Sequence, residues 1–398
     1  WALFTLTLIA FSPTILAHGR LVTTDVPAAL AFFGAIYYYL KFLKNPSRKN
    51  LIIAGIVFAI AQLTKFSLVL LLGFLPGITL VWIFLSCPFG TREKIVPYLF
   101  KNFYIWTLRL VVILAITALI ILPVYQFHVS NYPAEKQAAD IQHILQNNRF
   151  PALTHALVWT TAKPILQAYA QYILGIAMVF MRVAGGNTTY FLGEVSNQAW
   201  WYYFPVVFAL KVPAALLAMM FLSTALFLRR LILKPLLHKN FDEIAMLLFV
   251  LFYWFISITG NLNIGVRHVL PSFPFIFLLV TGQLKRWGWR GKTVFAGAML
   301  AWFIISSLNV YPHFIAHFNE FAGGANGGYR YVTDSNLDWG QDLRRLARFV
   351  EEKNIDHIKV DYFGGGDVKY YLGNKAEIWH ADNGETTGWL AVSGYPLE

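Results

Sequence analysis

The chain has 398 residues, 57% of them hydrophobic, 17% aromatic and only 13% charged, where soluble domains carry roughly a quarter charged residues. With a mean hydropathy of +0.54, this excludes a disordered chain, a fibrous repeat and an ordinary water-soluble enzyme, and reads as a helical integral membrane protein. The net charge of +12 is split unevenly, with 13 acidic and 8 basic residues from Pro312 onward against 7 acidic and 24 basic before it; a basic membrane part joined to a mildly acidic soluble part explains it, and no nucleic-acid partner is implied.

The chain starts at Trp1, inside an apolar run, with no recognisable signal peptide, and ends at Glu398 just past a strand-like run. It therefore reads as a fragment lacking its N-terminus, and the C-terminal end carries the same expectation. The single cysteine, Cys87, excludes an internal disulfide framework.

Nine stretches are apolar enough for membrane spans: 1–17, 24–43, 50–64, 66–86, 104–123, 203–228, 242–260, 269–284 and 294–311. If all nine span, the basic loops around Lys41–Lys49, Arg92–Lys101, Arg229–Lys239 and Lys285–Lys292 share one side, which the positive-inside rule makes cytoplasmic. The other side holds His18–Asp25, Lys65, the segment 124–200, Gly260–His268 and the tail. Residues 165–181 would make a tenth span but would move two basic loops outside, so a helix lying in the outer interface is expected there. The segment 124–200 is too long for a bare connection and, with Trp200-Trp201-Tyr202-Tyr203, has an interfacial aromatic character.

In the tail, strands are expected at Tyr329–Thr333, Ile358–Phe363, Ala376–His380 and Trp389–Ser393. A helix begins near Leu343 with Asp338 as a plausible N-cap. The β-α-β order suggests a small α/β domain outside the membrane, with Asp334–Asp338 and Gly364–Asp367 on its ligand-collecting rim.

Polar residues at membrane depth are the leading functional candidates. Asp25 reads as a carboxylate lining an outward cavity, orienting an acceptor or holding a metal, and equally as an N-cap before Val26-Pro27; Arg20 and His18 lie nearby. Lys65 reads as a phosphate contact or a snorkelling side chain, and Lys211 as the latter. Arg267-His268 makes a phosphate site, Arg267 as a bidentate donor and His268 as a second donor if protonated. His313, His317 and Glu320 have a spacing that could bind a metal but lack a His-Glu-x-x-His pattern, and calcium at Asp334, Asn336 and Asp338 is disfavoured because Trp339 and Arg345 stand where a Gly and a bidentate Glu are needed. Asn187-Thr188-Thr189 is a formal glycosylation sequon.

These stretches resemble polytopic glycosyltransferases of the GT-C fold, in the branch of protein O-mannosyltransferases and the aminoarabinose transferase of lipid A. The resemblance rests on His18–Pro27, Ala61–Lys65, Tyr190–Glu194, Gly265–Pro271 and the tail from Tyr311 through Asp334–Asp342, in that order along the chain. It implies an all-α polytopic membrane bundle (residues 1–311), about nine spans present of about eleven, followed by a small extracytoplasmic α/β domain at 312–398.

It further implies inverting transfer of a sugar from a polyprenyl-phosphate donor to a protein, lipid or glycan acceptor on the outer face of a prokaryotic plasma membrane. The family's general base matches no position here, Asp25 matches a second acidic position, and Lys65, Arg267 and His268 match donor-phosphate positions. Arg20, Glu194, Asp334 and Asp338 are secondary candidates. No cofactor is certain, and a divalent metal at Asp25 stays open. A lipid-linked-sugar flippase and an inactive membrane scaffold presenting the tail are the competing classes.

Overall fold

A computed structural model describes residues 1–88, 92–147, 149–233 and 240–394. Two short helices, α1 (Ala2–Ala10) and α2 (Pro13–Gly19), meet at a 56° bend, where Pro13 suits the first turn of α2 and cannot continue α1. They lead to α3 (Asp25–Lys44) and α4 (Arg48–Thr64), then a 3-10 turn at Phe66–Leu70 that runs into α5 (Leu71–Leu85). Helix α6 (Arg92–Val129) has 38 residues and is therefore about 57 Å long, nearly twice a hydrocarbon core.

Next come α7 (Ala134–Ile144), α8 (Pro151–Thr161), α9 (Pro164–Gly185) and a hairpin of β1 (Thr189–Phe191) and β2 (Glu194–Ser196). The expected span 203–228 is broken at Val212-Pro213 into α10 (Tyr203–Lys211) and α11 (Ala214–Leu233). Then follow α12 (Phe241–Thr259), a 3-10 turn at Val266–Ser272, α13 (Phe273–Arg286) and α14 (Lys292–Leu308).

Among the described residues, six helices are long and apolar enough to cross a membrane, or seven if α1 and α2 form one bent span. The other expected spans are helical but shorter: α4 and α14 have 17 residues and α13 has 14. The basic loops do share one end of the bundle. Lys44 at the end of α3 pairs with Asp242 at the start of α12 at 2.7 Å, and Glu243 beside it pairs with Arg230 of α11 and Arg286 of α13. Lys234 and Lys239 lie outside the described residues.

Helix α9 has a span's length, yet both its ends contact the opposite end of the bundle. Gln167 donates to the Tyr132 carbonyl just past α6, and Tyr172 to Gln62 near the end of α4. Gly186 meets Asn261 just past α12. Gly175 sits directly on the Phe66 ring, where a Cβ would collide, so only glycine lets α9 approach the turn beside Lys65.

Two apolar cores fill the bundle. One packs Phe32, Tyr39 and Phe42 of α3 against Phe58, Phe74, Trp106 and Phe249. The other joins Phe204, Phe208, Met219, Phe273 and Phe277, and includes Phe318 and Val332 of the tail. Residues 314–337 are thus docked into the membrane bundle.

The expected strand at Tyr329–Thr333 is instead a 3-10 turn at Gly328–Arg330 with a single bridge between Val332 and Phe191, because burial of Val332 in the bundle core, and not pairing into a sheet, fixes that run. The α/β unit itself is α15 (Leu343–Glu352), β3 (Ile358–Asp361), α16 (Val368–Leu372), β4 (Ala376–Ile378) and β5 (Trp389–Val392). Its parallel strands lie in the order β4-β3-β5, with Leu343, Val350, Val360 and Leu372 at its centre.

Gly175→Ala is expected to lower the stability of the detergent-solubilised protein by about 1–3 kcal/mol through overpacking. Gly175→Ala combined with Phe66→Ala should lose less than the sum of the single changes. Thermal unfolding of the three variants measures this, and an additive result would show that the two residues do not touch.

Candidate functional site

The site is built where three separate stretches reach the end of the bundle opposite the basic loops. Asp25 opens α3 and is buried, its side chain 5% exposed. It is no N-cap: Thr24 holds that position and no side-chain cap bond forms there. Instead Asp25 accepts from Lys65 Nζ on Oδ1 at 2.6 Å and from Arg267 Nη1 on Oδ2 at 3.5 Å. The start of a helix favours a carboxylate, and Lys65 reaches it because the chain is extended between α4 and the following turn.

One carboxylate faces two cations. The cluster carries one uncompensated positive charge at a part-exposed position, since the Lys65 side chain is 36% exposed and that of Arg267 is 16% exposed. Such an arrangement suits an anion that approaches the two cations from the open side. Each Asp25 oxygen is engaged by one of the cations, so the carboxylate holds Lys65 and Arg267 together.

The tail closes over Arg267. Its Nε donates to Ser335 Oγ at 3.0 Å and, more weakly, to the Ile264 carbonyl at 3.3 Å. The Trp339 ring lies 4.2 Å from the guanidinium carbon, a cation–π contact that fixes the plane of the fork. Ser335 Oγ also donates to the Ile264 carbonyl, and Asn336 Oδ1 accepts from Val266 N. This approach requires Gly265, at φ +89°, where a Cβ would lie 2.6 Å from Ser335 Oγ.

Lys211 is no snorkelling residue. It is buried, 3% exposed, and donates to the carbonyls of Ile315 at 2.7 Å and Asn336 at 2.6 Å, with its ammonium over the Phe318 ring. The break at Val212-Pro213 turns it inward to the tail, away from any interface. His317 Nδ1 contacts the Lys211 carbonyl at 3.0 Å, and Asn319 donates to the carbonyls of Ala209 and Val212. These bonds satisfy the end of α10 and latch the tail onto it.

The remaining sequence candidates fare differently. His18 is buried near Asp25, with Nδ1 lacking a partner. His268 stacks on Phe204 at 5.2 Å and abuts Tyr253, so aromatic packing sets its orientation. Arg20 is exposed and lies over Phe314, outside the cluster. Glu194 is exposed on the β1–β2 hairpin.

Asp334 is buried in the turn that carries Ser335 and Asn336. Asp338 does not cap α15. Asp342 holds that position, its carboxylate accepting from Gln341 and Arg345 and not from the helix backbone, and Asp338 accepts from Gly340 N and Gly394 N. Asp338 also lines a cleft of about 220 Å³ at the carboxyl ends of β3 and β5, with Asp342, Asp361 and Tyr362. Just past the carboxyl end of β3, the Gly364 backbone packs on Gly340 and on Tyr362, a residue that lines this cleft.

No group of three metal-ligating side chains occurs among the described residues. His317 is committed to Lys211 and Ser306, and Glu320 to Trp302. The Asn187 side-chain nitrogen, which a glycan would need, donates to Thr189 and to the Asn263 carbonyl, so the folded chain hides the sequon's nucleophile. Reasoning from sequence missed Ser335 and Trp339 as partners of Arg267, and Asn336 as a partner of the neighbouring Val266. The density of polar residues in Asp334–Asp342 was the available signal, and it did not reveal which would fold back.

Residues 1–122 match the family of dolichyl-phosphate-mannose-protein mannosyltransferases. This stretch contains Asp25 and Lys65, and the match bears out the resemblance to that glycosyltransferase branch. No curated protein and no solved structure matches the chain. The apolar helices make this an integral, multi-pass membrane protein, and its first 122 residues are similar to a family of membrane glycosyltransferases.

Burial, and secondarily the Lys211 charge, pushes the His317 imidazole down to about 4. The unfolded chain protonates His317 below about pH 6.5 while the folded one does not. Its contribution is therefore undiminished above about pH 6.5 and is lost as pH falls toward 4. The midpoint of thermal unfolding should drop across that window, and His317→Asn should make the drop shallower; an unchanged slope would mean that the imidazole is not kept neutral by the fold.

Proposed function

We propose that the chain transfers a sugar from a polyprenyl-phosphate donor to an acceptor hydroxyl on the extracytoplasmic face. The observation that carries this reading is the convergence of Lys65 and Arg267 on the buried Asp25. The family named by residues 1–122 uses a lipid-phosphate sugar and a protein acceptor, and a lipid phosphate is the anion that such a cluster suits. The face assignment follows from the cluster's place opposite the basic loops.

In the reaction, the acceptor oxygen attacks the anomeric carbon as the bond from that carbon to the phosphate oxygen breaks. The electron pair leaves with the lipid phosphate, and the acceptor's proton passes to a base. Arg267 forks onto the phosphate and Lys65 adds a point charge, so the charge that grows on the leaving group meets fixed cations. Asp25 keeps the two cations apart and aimed in the donor's absence. Asp25 is not the base, and no other residue is assigned that role.

His268 follows Arg267 in the chain and is held by the Phe204 ring, and we keep it as a secondary phosphate contact.

Arg267→Ala should reduce transfer from a polyprenyl-phosphate sugar by about a hundredfold, the loss expected when a charge-assisted contact to the leaving group is removed. Arg267→Lys should recover only part of it. Product formation in detergent, where no gradient exists, separates a transferase from a flippase. Unaltered donor kinetics in Arg267→Ala would overturn the phosphate role.

A further inference from the structure

The basic end of the bundle contains a second charged cluster that the transfer reaction does not use. Glu243, in the first turn of α12, is buried, its side chain 6% exposed. Its Oε2 accepts from Arg230 Nη2 at 2.6 Å and from Arg286 Nη1 at 2.7 Å, and its Oε1 accepts from Gln283. Arg230 ends α11 and Arg286 ends α13, so one carboxylate gathers three helices. Arg229 stands beside this group, exposed, with no bond to Glu243. The neighbouring acid, Asp242, is paired with Lys44. Three guanidinium groups thus face one carboxylate.

Arg229, Arg230, Arg286, Gln283, Trp287 and Trp289 line an open cleft of about 590 Å³. Trp289 is exposed and packs against Trp287 at 4.9 Å. Exposed tryptophan beside arginine is the signature of the headgroup level of a bilayer.

From Gln283, which lines both spaces, a groove of about 280 Å³ runs along the bundle between α11, α12 and α13. Its walls include Phe227, Leu247, Val250, Ile276 and Leu279. Its two hydroxyl side chains are satisfied by backbone carbonyls, with Ser223 donating to that of Val280 and Thr224 to that of Met220. The groove therefore presents an apolar trough below a cationic mouth.

We infer that this cleft and trough form a binding site for one anionic phospholipid of the leaflet at the basic end, its phosphate among Arg229, Arg230 and Arg286 and an acyl chain in the groove. Charge selects the headgroup. A phosphodiester without a compensating amine neutralises the excess positive charge, whereas a zwitterionic headgroup would set a second cation against three guanidiniums. Depth selects a lipid over a soluble anion, because the trough continues from the phosphate position into the apolar flank. The lipid would brace α11, α12 and α13 where Glu243 already joins them. The site lies at the opposite end from Asp25, and its existence does not depend on the transferase reading.

The test uses the intact purified protein and native mass spectrometry with phosphatidylglycerol and phosphatidylcholine of identical acyl chains. Wild-type protein should retain phosphatidylglycerol in preference. Arg229→Gln, which leaves every bond to Glu243 in place, should weaken that binding about fivefold, with phosphatidylcholine retention and the unfolding temperature of the delipidated protein unchanged. Leu279→Trp, which fills the trough, should displace the lipid while sparing the arginines. Equal retention of the two lipids, or wild-type phosphatidylglycerol binding by Arg229→Gln, would overturn the site. Release of a co-purifying polypeptide by Leu279→Trp, with no change in lipid, would assign the cleft to a protein partner and overturn it too.

Discussion

The functional end of the molecule depends on one carboxylate shared by two cations. Asp25 is withdrawn from water, and an unpaired charge at that depth would cost several kcal/mol. Lys65 and Arg267 remove that penalty, and in doing so they are brought together from opposite ends of the sequence. The same contact ties α3 to the turn after α4 and to the 3-10 segment before α13, so the geometry of the charged cluster and the packing of the bundle are set together. A buried ion pair of this kind adds little net stability compared with a well-packed apolar replacement. Its value is positional, because it leaves a net positive charge at a defined, partly open place.

A second constraint keeps that place from relaxing. Arg267 is flexible in isolation, and Asp25 alone, at 3.5 Å from one nitrogen, would not fix its plane. The Ser335 hydroxyl and the Trp339 ring do so. Both are carried by a tail segment whose Phe318 and Val332 belong to the bundle core, and which Lys211 latches through two backbone carbonyls. A buried lysine without a carboxylate partner is costly, and carbonyl ligands together with the Phe318 face offset that cost. The chain thus uses one buried cation to hold the tail and presents another, Arg267, at the partly open cluster.

The helical membrane architecture was legible from composition and from the spacing of apolar runs, because hydrocarbon solvent imposes a long, local pattern on sequence. The sharing of one end by the basic loops was equally legible. What sequence could not give was the break at Val212-Pro213, where an apolar run hides two helices, or the folding of Tyr329–Thr333, whose alternation describes burial against Phe191 and not a sheet. Asp25, Lys65 and Arg267 stood out individually as charges at membrane depth. Their union, the inward turn of Lys211 and the closure of Trp339 over Arg267 depend on contacts between residues scores of positions apart, which no local pattern encodes. Arg20 and Glu194 matched the same stretches by resemblance, yet both are exposed away from the ion cluster, since neither has a buried partner to draw it in.

Asp25, as proposed above, works through Arg267, as the holder of a cation and not as an independent proton acceptor. A double-mutant cycle on transfer from a polyprenyl-phosphate sugar measures this coupling directly, using Asp25→Asn, Arg267→Gln and the pair. If the claim holds, the pair loses little more activity than Arg267→Gln alone, because the arginine's removal already abolishes what Asp25 contributes. Losses that multiply would contradict it, and would make Asp25 a separate participant in the chemistry.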